Sequence, residues 1–106
     1  MRLSPYQRDS IVSVLGNHGK VFLYGSRTKD DLKGGDIDLL LVVQPEKLQD
    51  LRSQKHKLLI SIESKIGEQK IDLILATPEM LTTDPFLMKI TKEATSLNTS
   101  RPERLG

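Results

Sequence analysis

Apolar positions along this chain fall into two rhythms, one helical and one of short continuous runs. Ile11, Val14 and Leu15 share a stripe at helical spacing. Ser4-Pro5 reads as the start of that helix: Ser as N-cap, Pro at the first helical position, and Gln7 placed to close a capping box. Gly16, Asn17 and Gly19 end it. Val21-Phe22-Leu23-Tyr24 is a short run of strand formers, broken by Gly25-Ser26. Residues 27–35 are polar and end in Gly34-Gly35, which predicts a loop with room for one helical turn. Asp36 to Val43 reads DIDLLLVV, a strand buried on both faces after its two acids. Pro45-Glu46 opens a helix. Leu48, Leu51, Leu58, Leu59, Ile62 and Ile66 then recur at helical spacing, predicting one long helix that ends at Gly67. Lys70 to Ala76 is a third strand, and Thr77-Pro78 begins a turn. Phe86, Leu87, Ile90, Ala94 and Leu97 mark a last helix from about Asp84 onward.

The order helix, strand, loop, strand, helix, strand, helix predicts an α/β (α+β) domain. Its expected core is a small mixed sheet of three or four strands with helices packed on one face. The domain is read as residues 1–97, followed by a flexible tail over residues 98–106. No internal repeat or low-complexity segment interrupts it.

Composition narrows the function. With 106 residues the chain makes one domain, which buries only about two thirds of the surface of its unfolded chain. A deep private cleft is not expected, so an active site should lie on the surface or be completed by a partner. The absence of cysteine excludes disulfides, a cysteine zinc site and thiol catalysis. His18 and His56 are far apart in sequence and are read as a turn residue and a residue of a charged helix face. No apolar run approaches the roughly 18 residues of a membrane span. The polar start MRLSPYQRDS does not resemble a signal peptide, so a cytoplasmic protein is expected. A net charge of +2 is too mild to argue for DNA or RNA as partner.

Three features carry chemistry. Asp36 and Asp38 flank Ile37 at the start of a buried strand, so both side chains point to one face. Their Cα atoms should lie about 7 Å apart, close enough for both carboxylates to grip one cation. Asp72 sits inside KIDLIL, where aspartate is disfavoured. If that strand neighbours the first, a third carboxylate joins the pair. Three such anions repel unless one is protonated or a hard cation such as Mg²⁺ binds them. Two Mg²⁺ ions about 3.5–4 Å apart would suit phosphoryl or nucleotidyl transfer. Gly25-Ser26 ends the first strand, where glycine admits a phosphate to the backbone and the serine hydroxyl can hold it. Arg27 and Lys29 follow and can add positive charge toward a triphosphate.

Gly25-Ser26, nine intervening residues, Asp36-Ile37-Asp38, and later Asp72 in a third strand resemble the DNA polymerase beta-type nucleotidyltransferase superfamily. The short length matches its minimal nucleotidyltransferases. The phrase YGSRTKDDLKGGDIDLLL carries most of the resemblance, which covers about residues 20–76 by motif. The resemblance implies a polymerase beta-like nucleotidyltransferase fold. It implies that Asp36, Asp38 and Asp72 are the metal-binding catalytic carboxylates, and that Gly25 and Ser26 contact the nucleotide phosphates. It further implies an AMP transfer from ATP to a hydroxyl, with tyrosine expected, on a helical HEPN-type partner that the chain would neutralise as an antitoxin. A homo- or hetero-oligomer is compatible with that reading. The alternative is a non-catalytic module that binds nucleotide or neutralises a partner by contact. Tyr24 is read as packing beneath the Gly-Ser turn, with stacking on a base as the alternative. Met80, Phe86, Leu87 and Met88 are read as core, with an exposed partner-facing patch as the alternative.

Overall fold

The structure, a computed structural model, describes residues 3–25, 36–67 and 69–98. Ser26, Arg27, Lys29, the rest of the predicted loop and residues 99–106 lie outside the described residues.

The first helix, α1 (Pro5–Leu15), begins as its sequence predicts. Ser4 Oγ accepts from the Gln7 N–H at 3.1 Å, and Gln7 Oε1 accepts from the Ser4 N–H at 2.9 Å. Two otherwise orphaned donors are thereby satisfied. Ile11 and Leu15 are fully buried. Strand β1 (Lys20–Tyr24) follows, then β2 (Ile37–Val42). They pair antiparallel, with Tyr24 opposite Asp38 and Phe22 opposite Leu40.

The predicted long helix is two helices, α2 (Pro45–Ser53) and α3 (Lys55–Ile66). Gln54 departs from helical dihedrals (φ −99°, ψ 3°), and its N–H bonds back to the Leu51 carbonyl in a tightened turn. The apolar stripe lapses there, at the half-buried Gln54 and Lys55, so no apolar side chain anchors the axis at the junction. Gly67, at φ +89°, ends α3 where a C-terminal glycine was expected.

Strand β3 (Ile71–Ala76) pairs parallel to β2 across the α2–α3 crossover. After α4 (Met80–Thr83) comes α5 (Pro85–Glu93), whose N-cap Asp84 accepts from the Phe86 and Leu87 N–H groups. The expected continuation of the helix to Leu97 does not occur. The chain turns extended at Ala94, and Thr95–Ser96 form β4, antiparallel to β1. The four-stranded sheet has the order β3-β2-β1-β4 and mixes both pairings.

The odd-numbered strand residues, among them Val21, Leu23, Leu39, Leu41 and Leu73, pack against α1, α2 and α3. Several are fully buried, each contributing roughly 1.5–3 kcal/mol through area removed from water. The even-numbered residues form the second face. Phe22, Tyr24, Leu40, Val42, Ile74 and Ala76 belong to a smaller core with α4 and α5. The α/β class and mixed sheet are as expected; α1 to α3 share one face, and the two short C-terminal helices add cover on the other. Phe86 and Met88 are not core: both are exposed, while Leu87 is buried. A nine-residue helix lays down a single stripe, here Leu87 and Ile90, and the extended Ala94 continues the same core. Leu97 returns to the first core, and Asn98, placed in the tail by the sequence, is bound to the sheet. Its Oδ1 accepts from the Val21 N–H at 3.1 Å and its Nδ2 donates to the Gly19 carbonyl at 2.9 Å.

Candidate functional site

Both cores meet in β2, which is buried on its two faces along Leu39–Val42. The strand is therefore held firmly where its acids emerge. Asp38 is half-buried on the second face, beyond the cover of Leu40. Asp36 stands two residues earlier, on the same side of the chain. The β2–β3 register sets Asp72 directly beside Asp38. Neighbouring strands run about 4.8 Å apart, so the third carboxylate joins the first two on one face. The sequence made this conditional on the two strands being neighbours, and the parallel β2–β3 pairing meets the condition.

Electrostatics report the crowding. The Asp38 carboxyl is raised above its ordinary value of 3.8, first by burial, then by Asp72 and Asp36, with Lys70 opposing. Across the β1–β2 pair, the Tyr24 phenol is pushed up to about 12 by burial and by the charges of Asp38 and Asp72. At neutral pH it remains a neutral O–H and cannot serve as a general base.

Two contributors were not legible as such in the sequence. Lys70 was passed over there as a strand's first residue; its Nζ lies 3.7 Å from Asp36 Oδ2, both side chains being largely solvent-exposed. Such a pair is worth little stability, and it sets one positive charge beside the acids. Its signal was the spacing of two from Asp72, which puts it on the same face. Tyr24 was singled out for its place before the Gly-Ser turn, not for its pairing opposite Asp38.

Gly25 follows β1 at φ +79°, a conformation that favours glycine. A Cβ there would lie 2.4 Å from Asp38 Oδ2. Backbone and carboxylate thus approach each other as closely as glycine permits. The strand end expected to meet phosphate and the carboxylate expected to meet cation are neighbours. Ser26, Arg27 and Lys29, the other expected phosphate contacts, lie outside the described residues.

Among the described residues, no three carboxylate or imidazole side chains converge into a shell for a metal ion. The donor set nevertheless fits a hard divalent cation: it is all carboxylate oxygen. Burial and then the charges of Asp72 and Asp36 raise Asp38, and a bound cation would offset both. Asp36 would have to turn from Lys70 to take part. Among the described residues, no helix is long and apolar enough to cross a membrane.

A family model described as the nucleotidyltransferase domain matches residues 8–98. A crystal structure from Sulfolobus solfataricus, of a protein described as a candidate nucleotidyltransferase, is similar in fold. It aligns with TM-score 0.50 at 17% identity, over 84% of this chain and 73% of that one. No curated protein matches the chain.

Proposed function

The chain belongs to the nucleotidyltransferase domain family, and from that premise we propose that it transfers AMP from ATP to a hydroxyl of a partner protein. The observation that supports this most is the register setting Asp72 beside Asp38, on the face where β1 ends in Gly25. Asp36, Asp38 and Asp72 would hold Mg²⁺, which when bound neutralises the phosphates and lowers the cost of charge developing at the α-phosphate. Gly25, with Ser26 and the cations Arg27 and Lys29 that follow in sequence, would hold the outer phosphates. The acceptor oxygen attacks the α-phosphorus as the bond to the bridging oxygen breaks, and pyrophosphate leaves. Asp72 is exposed on the edge strand; in this reading it would face the arriving acceptor and take its proton. Lys70 holds Asp36 by charge between turnovers.

The acceptor proposed is a tyrosine hydroxyl on a helical HEPN-type protein, with this chain as its antitoxin. A protein acceptor is consistent with the mild +2 charge and with the exposed position of Asp72. Incubation with α-labelled ATP, Mg²⁺ and the helical partner should label that partner and release pyrophosphate. A chelator should stop both. No label from protein that binds ATP would overturn transfer. If a triple Asp36→Asn, Asp38→Asn, Asp72→Asn variant still neutralises the partner, the chain acts by binding instead.

A further inference from the structure

A cavity of ≈ 280 Å³ opens beside the carboxylates, between β1 and α5, lined by Tyr24, Gly25, Phe86, Lys89, Ile90 and Glu93. A larger apolar cavity lies toward the other end of the sheet, against His18, Phe22 and Leu81. No acid lines that one. The smaller cavity shares two residues with the site: Tyr24 sits opposite Asp38 in the β1–β2 pair, and Gly25 abuts the Asp38 carboxylate. We infer that this cavity receives the nucleobase of the nucleotide, stacked on Phe86. The inference rests on the nucleotidyl-transfer reading and specifies its substrate site.

Geometry selects the nucleoside over the acceptor. In an in-line displacement the attacking oxygen and the leaving pyrophosphate lie on opposite sides of the phosphorus. On the transfer reading the outer phosphates meet Gly25, which follows β1, so pyrophosphate would leave toward β1. The acceptor must then approach from the β3 side, where Asp72 is exposed. A cavity on the β1 side belongs to the nucleotide.

Chemistry selects the base. Phe86, the second residue of α5, is 56% exposed. An aromatic face left in water beside a cavity gains by stacking on a flat ring. Ile90 supplies apolar wall, and Lys89 and Glu93, one turn apart on α5, place a donor and an acceptor at the rim. A base edge carries both complements.

The test is calorimetry of ATP and of inorganic triphosphate, each with Mg²⁺ and no acceptor. The wild type should bind both, ATP more tightly. Phe86→Ala should weaken ATP by about 5- to 150-fold while triphosphate affinity changes by less than about twofold. Phe86→Tyr, which keeps the ring, should restore ATP binding. Because Phe86 is exposed, thermal melting should be nearly unchanged in both variants. ATP binding by Phe86→Ala equal to wild type overturns the base site and leaves the transfer reading standing. So does an equal loss of ATP and triphosphate with an unchanged melt. If Phe86→Ala spares ATP but lowers association with the helical partner, the cavity is a protein contact and the base site is overturned. A wild type that binds neither ligand overturns both readings together.

Discussion

Replacing Gly25 by alanine should separate stability from chemistry at a single atom. The backbone there has φ +79°, where a residue with a Cβ pays about 1–3 kcal/mol. For a domain of this size each kcal/mol lowers Tm by roughly 4–8 °C. The new Cβ would lie 2.4 Å from Asp38 Oδ2 and 3.2 Å from Cγ. The carboxylate tip must retreat from 2.4 Å to the 3.4 Å at which ordinary contact begins. A catalytic group displaced by about 1 Å costs on the order of 10²-fold in rate. Gly25→Ala should therefore melt lower by roughly 5–20 °C and, in the proposed transfer, release pyrophosphate about 10²-fold more slowly. Circular dichroism melts and pyrophosphate release measure the two effects. The same substitution in an Asp38→Ala background isolates the backbone cost, since the clashing oxygen is gone. If Gly25→Ala keeps both its Tm and its rate, the close approach of Gly25 to Asp38 has no role and the reasoning fails.

Three further outcomes follow from the same geometry. Asp38 has a raised folded-state pKa, so its contribution to stability falls as pH rises from its ordinary value through the folded one. Asp38→Asn escapes that loss: in chelator it should match wild type at about pH 3, exceed it at about pH 7, and transfer nothing; a stability difference in urea melts that ignores pH would refute the crowding. Asn98→Ala removes both bonds that tie the chain after β4 to Val21 and Gly19. It should cost about 1–3 kcal/mol, and an unchanged denaturant midpoint would show the clasp to be idle. Leu39→Ala empties a fully buried site in β2 and should cost about 2–5 kcal/mol, read as a lower midpoint with the same m-value.

Much of the framework was legible because it is written in local rules. A capping box, a Pro at N1 and a C-terminal glycine act within a few residues of themselves. The two-sided burial of β2 shows as an unbroken apolar run, and Asp36 and Asp38 share a face by strand alternation. The errors also have local causes. The break at Gln54 is a small lapse in an otherwise continuous stripe. Thr95–Ser96 is too short to show a strand rhythm, and it is extended because β1 offers it an open edge. Phe86 and Met88 look like core by composition; their exposure follows from how α5 is rotated on the sheet.

The sequence by itself determined that two acids would share a face, that a glycine would end β1, and that a third acid would interrupt a strand. It could not say which face Asp72 would take. Strand alternation offers two, and a slip of one residue exchanges them. Packing decided: Ile71, Leu73 and Leu75 go to the face covered by α1 to α3, and their burial leaves Asp72 on the other. The tertiary structure likewise placed Tyr24 and Lys70 against the acids and opened the cavity beneath α5. These arrangements join segments far apart in the chain, so burial of both sheet faces selects them and no local pattern records them.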